Sequence, residues 1–290
     1  MYNLRYHVAS LIAVFLALAV GLLLGTVVAE RGMITDQSSA LVEDLQQRFD
    51  EISAANDELR LGLERDRAFA EDAVEVMSEG RLEGMRVVVL GSTGRVDGQP
   101  AVERAVTEAG GEAILVTVRE VGLGLLTTEP EGLAGYFAGR DMEMAPAGPE
   151  LIEQVAESLA TEWREGGEQP LSALLADVGL MDDLASTEGT VTVDGIVVMA
   201  AGPDGCDPFA LALARAIVAD GGVSVAAEAE TSSAGVAATC AAEGLPAVGH
   251  IGTPQGRVSL VWILAGRARG YYGPGDDADG YYPVFGPAAD

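Results

Sequence analysis

The feature that most constrains this chain is an uncharged apolar run at residues 8–29, which leads directly into a charged, heptad-patterned segment. The run has 22 residues without charge or proline, and as a helix it would be about 33 Å long, enough to span a bilayer with some tilt. A secretory signal has a shorter apolar core of about 7–15 residues. We therefore predict a retained transmembrane anchor over residues 1–35. A cleaved signal is the alternative, because Val27, Val28 and Ala29 resemble a cleavage site.

The orientation of this anchor depends on two arginines. Arg5 precedes the run and Arg31 follows it, so the positive-inside rule is almost balanced. We predict a single-pass protein of the cell membrane with a short amino-terminal tail inside and the body outside the cytoplasm. Gly21 and Gly25 form a small-xxx-small pair, which favours close approach of two helices. A lone span that tolerates both glycines is the alternative.

Residues 36–82 are predicted to form a coiled-coil stalk. Apolar side chains repeat with heptad spacing, and only Asp66 interrupts the seam. Asn56 at an a position is the residue type that fixes register and favours a dimer. We therefore expect a homo-oligomer, and one amphipathic helix folded onto its own body is the alternative. The seam has Val42, Phe49, Asn56, Leu63, Ala70 and Met77 at a, and Leu45, Ile52, Leu59 and Ala73 at d.

Charge narrows the range of partners. The chain has 17 Arg and no Lys against 45 Asp and Glu, which gives a formal net charge of −28. A chain this acidic is repelled by phosphate backbones and by anionic lipid headgroups, so nucleic acid is not expected as a partner. Most of the acidic residues are interpreted as a solvated surface.

Residues 83–290 are predicted to form a Rossmann-like α/β body with a mostly parallel sheet. Continuous apolar runs alternate with helix-length segments, which is typical of parallel strands covered on both faces. The body divides into two unequal halves, at about 83–190 and 191–290. The predicted strands are 85–91, 113–118, 195–200, 223–227 and 245–251. The predicted helices are 100–109, 151–164, 171–180, 209–219 and 255–267, with loops around Pro146 and Pro149.

Neither of two glycine-rich turns indicates a nucleotide site. The turn after the first strand has glycines at positions 91, 94 and 98, which is the wrong spacing for the dinucleotide fingerprint. The loop at residues 202–208 follows a strand, where α/β folds place ligands, but ordinary turn chemistry explains its Gly, Pro and Asp residues. We therefore predict no nucleotide cofactor.

Candidate catalytic and metal-ligating residues are few. With only His7 and His250 in the chain, a hydrolytic triad would have to use His250, which is interpreted as a structural histidine before Gly252. No zinc-like spacing is present. Cu(I) prefers thiolate and thioether ligands. The candidate metal ligands are therefore Met142, Met144, Cys206, Cys240 and His250.

The two cysteines have two possible uses. They would be able to pair if the body lies in an oxidising compartment. A shared metal site would require their sulfurs within about 4 Å of each other. We expect the sulfurs of Cys206 and Cys240 to lie apart, and Met142 and Met144 to lie in a surface loop far from both. Convergence of two or more of these sulfurs would make copper ligation the leading mechanism.

Both ends of the chain resemble a known family. The amino-terminal motifs are Leu4-Arg5-Tyr6-His7, the apolar residues 10–19 and the Gly21–Gly25 segment. The carboxyl-terminal motifs are Gly252-Thr253, Gly256 and residues 264–266, 270–273 and 282–283. These motifs, in order over the whole chain, resemble the MctB family of actinobacterial copper-transport proteins. The resemblance implies a cell-envelope protein linked to copper export or resistance, described as pore-forming in an outer membrane. A related member is linked to cell division through control of a peptidoglycan hydrolase with a partner membrane protein.

The residues favour an anchored protein over a channel. One spanning helix cannot enclose a pore, and residues 8–29 offer no charged or thioether side chain to line one. We expect no enzymatic activity. Two functions remain: copper export or homeostasis, with copper as the only metal suggested, and a non-enzymatic envelope scaffold that docks a partner in cell division or peptidoglycan hydrolase control.

Overall fold

The computed structural model describes residues 4–94, 97–182, 184, 192–229 and 235–284. Contacts divide the chain into two compact units, residues 1–66 and 67–290. Helix α1, Leu4–Ser78, contributes residues to both units. The predicted boundary at 35/36 falls inside this helix, and the one at 82/83 falls just after it.

The first unit consists of α1 residues. Within the part of the chain that the structure describes, one helical segment, Arg5–Val28, is long and apolar enough to cross a membrane. Downstream in the same unit, the apolar residues Val42, Phe49 and Leu63 are exposed in the single chain. More than half of the surface of each of these side chains is open to solvent in the single chain.

The second unit is built on a parallel sheet. Its strands are β1 Arg86–Ser92, β2 Glu112–Val118, β3 Gly195–Val198, β6 Val223–Ala227, β7 Ala247–Val248 and β8 Tyr271–Tyr272, and an antiparallel hairpin is formed by β4 Ala201–Gly202 and β5 Gly205–Cys206. The six strands of the main sheet are all parallel and lie in the order β2-β1-β3-β6-β7-β8. Without the hairpin this is the doubly wound, flavodoxin-like order. The two predicted halves thus share one sheet, because β3 pairs directly with β1.

Helices cover both faces of this sheet. They are α2 Gln99–Glu108, α3 Leu133–Ala138, α4 Pro149–Glu165, α5 Pro170–Asp177, α6 Pro208–Ala219, α7 Val236–Ala242 and α8 Pro254–Leu264, with a 3-10 turn at Val121–Gly124. Four of them, α4, α5, α6 and α8, begin with proline, whose fixed φ suits the first helical position and whose missing N–H is not needed there.

Two apolar cores lie on opposite faces of the sheet. In β1, Val88 and Leu90 join one core, whereas Val87 and Val89 join the other, as the alternation of side chains along a strand requires. Both faces are fully covered at β1, which explains why the sequence here is a continuous apolar run.

The end of α1 packs against α8 within the second unit. Val74 and Ser78 are buried, and the Trp262 Nε1–H donates to the Met77 carbonyl at 3.3 Å. The Arg81 guanidinium lies over the Trp262 ring, 4.4 Å from its centre. The last predicted seam positions, Ala70, Ala73 and Met77, are half-buried in this single chain. The body therefore already covers part of the surface that the heptad pattern assigned to a partner helix.

Several element boundaries differ from the predictions. Pro149 begins α4 rather than lying in a loop. The strand predicted at 245–251 is reduced to Ala247–Val248, because His250 has a φ of 55° and turns the chain toward α8. The helix predicted to reach residue 267 ends at Leu264. Elements α3 and β8 were not predicted from the sequence.

Candidate functional site at the carboxyl edge of the sheet

The crossover after β3 forms a hydrogen-bonded loop at this edge. Backbone pairing continues past the strand, since Met199 N–H donates to the Leu90 carbonyl at 2.8 Å. The Ala201 N–H then donates to the Ser92 hydroxyl oxygen at 2.8 Å, and the chain folds into the β4–β5 hairpin. The glycine-rich loop noted in the sequence is therefore a hairpin tied to β1.

A disulfide bond fixes this hairpin to α7. The sulfurs of Cys206 in β5 and Cys240 in α7 are 2.03 Å apart. The expectation that these sulfurs lie apart was wrong, because sheet order brings the crossover after β3 and the helix after its neighbour β6 together. Cys240 is fully buried and Cys206 is half-buried. Cysteine ligates metals as a thiolate, and a sulfur in a disulfide bond is not a thiolate.

Asp207, next to the disulfide, joins three elements. One carboxylate oxygen accepts the N–H groups of Phe209 and Ala210 at 2.9 and 3.0 Å and caps α6. The other accepts the Gly122 N–H at 2.8 Å and so holds the 3-10 turn. Burial raises the pKa of this carboxyl above its usual value, while the three N–H donors act in the opposite direction. Its oxygens are committed to the fold.

Gly98 is closely packed at the carboxyl edge of β1 and β3, where this strand order places ligands. A side chain at Gly98 would come within 3.0 Å of Met199 Cε, 3.1 Å of Ile251 Cγ2 and 3.2 Å of Ala229 Cβ. Met199 is only 6% exposed, and the Ser92 hydroxyl accepts a backbone N–H. Gly98 therefore packs directly against these neighbouring side chains. Residues 95–96 of the turn lie outside the described residues.

His250 lies at a sharp turn, with a φ of 55°. Its carbonyl accepts both the N–H and the hydroxyl of Thr253, at 2.9 and 2.8 Å, just before α8 begins. Gly256 packs so closely on this carbonyl that a Cβ there would overlap it. The backbone of His250 thus shapes the entry into α8.

The two candidate methionines lie in the segment between α3 and α4. Met142 is 42% exposed, and its N–H donates to the Phe137 carbonyl at 3.0 Å. Met144 is partly buried against the larger core. Among the described residues, no group of three or more His, Cys, Asp or Glu side chains converges in a way that could hold a metal ion.

The predicted oligomerisation residues are exposed in the single chain. A Cβ built on Gly21 or Gly25 meets no atom within 4 Å, as a free helix surface requires. In the stalk, the seam residues Leu45, Phe49, Ile52, Asn56, Leu59 and Leu63 are all exposed. One copy of the chain shows where these side chains point but not what they contact.

Sequence reasoning missed the residues that hold α1 to the body. Arg257 on α8 is buried and forms an ion pair with Glu71 on α1. It also missed Asp207, although Asp followed by Pro at a helix start is a recognisable capping signal. Nothing in the sequence pairs Arg257 with Glu71, because 186 residues separate them.

Together these features define a class of protein with a membrane-length amino-terminal helix and a doubly wound α/β body whose crossover hairpin is held by a disulfide. The chain belongs to the MctB family. The family model, described as a copper transport outer membrane protein, matches residues 1–283, which confirms the resemblance noted in the sequence. Among curated proteins, no significant match to the chain was found.

Proposed function

We propose that the protein is a non-catalytic, single-pass envelope protein of copper homeostasis whose α/β body lies outside the cytoplasm. The observation that carries the proposal is the family match over residues 1–283, together with the membrane-length helix Arg5–Val28. The family description names copper transport and a membrane. The proposal adds the role of this protein and the side of the membrane on which its body lies.

The disulfide supports the placement of the body. Structural disulfides form and persist in oxidising compartments and are rare in the cytosol, where thioredoxin and glutathione keep thiols reduced. The bond between Cys206 and Cys240 is therefore what a body outside the cytoplasm would use. A short amino-terminal tail inside the cell agrees with this arrangement.

A non-catalytic role is supported by how the carboxyl edge is used. The usual ligand crevice is packed with Met199 and Ile251 around Gly98. The buried carboxylate of Asp207 is held by three backbone N–H groups, so using it as a base would break the cap of α6. His250 shapes a turn. The polar groups of Ser92, Asp207 and the His250 carbonyl thus have structural roles at this edge.

Direct copper ligation by the cysteine pair would require reduction. Two electrons and two protons, supplied by a thiol reductant, convert the disulfide into two thiols, and their thiolates are preferred Cu(I) ligands. The oxidised protein acts in copper homeostasis as an accessory, and a Cu(I) site at Cys206 and Cys240 belongs to the reduced form. Anaerobic Cu(I) titration of the oxidised and the reduced protein distinguishes the two forms by whether they bind Cu(I). Tight stoichiometric binding by the oxidised form would contradict this assignment.

Self-association through the stalk is part of the proposal. The a-position side chains Val42, Phe49 and Leu63 are 58%, 70% and 68% exposed in one chain. A continuous apolar stripe of this kind on a helix is typical of a surface that another helix covers. A second copy supplies the same stripe, so the two would match in register around Asn56.

The test is the copper content of cells that lack the gene. We expect such cells to retain more copper and to grow less well in added copper than the parent strain. The full chain, expressed from a plasmid, should restore both properties. A chain with residues 1–29 replaced by a cleavable signal is the matched control and should not. Unchanged copper content and tolerance in the deletion strain would contradict the proposal.

A further inference from the structure

An open groove runs between α4 and α6 on the surface of the second unit, with a volume of about 680 Å³. The two helices lie side by side in the same direction. Ile152 and Pro208, near their starts, both lie beside Gly122, and the Thr161 hydroxyl lies 3.5 Å from the Asp220 carboxylate at their ends. With 12 residues in α6, the groove is about 18 Å long.

The walls of the groove are ridges with helical spacing. On α4 the lining residues Pro149, Glu153, Glu157 and Thr161 are four positions apart, and on α6 Pro208, Ala212 and Ala216 repeat the same interval. Ridges of side chains four residues apart are what a third helix packs between. The shape of the groove therefore suits a helix.

The apolar part of the groove is open to solvent. Leu126, at one end, is 44% exposed, and Leu211 on α6 is half-buried. Beneath them Ile152 and Ala216 are buried and close the floor. A bound helix would cover Leu126 and Leu211, which are the side chains that gain most from burial.

The α4 wall carries unneutralised negative charge. Glu153 and Glu157 are exposed, and as like charges four residues apart on a helix they destabilise each other. Within the described residues, no cationic side chain lies within ion-pair distance of either carboxylate. Arg215, the cation that lines the groove, is already bound by the Glu243 carbonyl at 2.7 Å and carboxylate at 3.0 Å.

We propose that this groove binds a basic amphipathic helix of a partner protein. The apolar face of that helix would pack on Leu126 and Leu211, and its Lys or Arg side chains would pair with Glu153 and Glu157. Because this chain has a formal net charge of −28 and no Lys, a different protein supplies the helix. Neither cysteine lines the groove, and the copper role proposed above does not need this surface.

The probe is a fluorescein-labelled amphipathic peptide of 15 residues, with Leu on one face and Lys on the other. The full chain is held in phosphatidylcholine nanodiscs, and empty discs give the background. Fluorescence anisotropy should show saturable binding that weakens with added salt. The double variant Glu153→Lys with Glu157→Lys should bind at least about 10-fold more weakly. The matched control, Glu103→Lys with Glu108→Lys on α2, makes the same change in net charge and should stay within about twofold of wild type.

Two results would overturn the proposal. One is equal weakening by the groove variant and the α2 control, because binding would then reflect net charge alone. The other is unchanged affinity when every Leu of the peptide is replaced by Ser, since the apolar floor would then contribute nothing. Leu211→Asp, checked for folding by circular dichroism, should also weaken binding, and full affinity in that variant would likewise count against the groove.

Discussion

The Arg257 guanidinium, only 6% exposed on α8, forms an ion pair with the Glu71 carboxylate on α1, which is 40% exposed. A buried charge without a partner is costly, so this pair resists separation of the two helices. Together with Val74 in the core and Trp262 against the Met77 carbonyl, it fixes residues 67–78 of the stalk to the body.

Glu71→Gln should lower the free energy of unfolding by about 1–3 kcal/mol, because it leaves Arg257 buried with a neutral partner. Urea unfolding followed by circular dichroism measures the change. Glu75→Gln is the control, since Glu75 is exposed on the same helix and has no ion pair among the described residues. Equal effects of the two variants would show that the ion pair contributes nothing.

Asp207→Asn should destabilise the body by about 1–2 kcal/mol, because its amide would face the Gly122 N–H as a second donor. It should also change the pH dependence. The pKa of Asp207 is raised above 3.8, so in the window between the unfolded and folded pKa values the folded state binds more protons. Wild-type stability therefore declines as pH rises through that window, and Asp207→Asn should remove this decline.

The effect of Asp207 on the pH dependence of stability is measured by comparing two variants. Asp204→Asn changes an exposed carboxylate in the same loop and serves as the control for general charge effects. Unfolding free energies of wild type and both variants are measured from acidic to neutral pH. If Asp207→Asn and Asp204→Asn give parallel curves, burial does not govern the ionisation of Asp207.

The double variant Cys206→Ser with Cys240→Ser should lose about 4 kcal/mol of stability, because the disulfide closes a loop with a sequence separation of 34 and restricts the unfolded chain. Reduced wild type should lose a similar amount in urea unfolding. A loss below about 1 kcal/mol in both would mean that hairpin packing on α7, rather than the covalent link, holds this edge together.

Leu59→Asp should abolish self-association of the 36–290 fragment, since it places a charge at a d position of the predicted seam, with a desolvation cost on the order of several kcal/mol. Leu61→Asp is the matched control, because Leu61 is 53% exposed and lies off the seam at an f position. Sedimentation velocity distinguishes monomer from oligomer. A wild-type fragment that sediments as a monomer would rule out the coiled coil.

The sequence predicts an element of this structure well when the residues of that element alone determine it, and poorly when contacts with distant residues determine it. Strands β1, β2 and β6 are continuous apolar runs between turn residues, and their predicted bounds are within a residue or two of those observed. Strand β8 has only two residues and is defined by its pairing with Ala247 and Val248, so no local sequence pattern predicts it. The disulfide depends on sheet order and the Arg257–Glu71 pair depends on the packing of α1 against α8. Composition and periodicity encode neither of these long-range arrangements.

The proposed copper function places the body outside the cytoplasm, and the redox state of Cys206 and Cys240 in cells tests this placement most directly. Cells are lysed into denaturant with an excess of maleimide to block free thiols, then the protein is reduced and labelled with a mass tag. The account predicts that both cysteines escape the first reagent and that the chain gains two tags after reduction. Full blocking before reduction, with no tag gained, would show the pair reduced in cells and would contradict a body in an oxidising compartment.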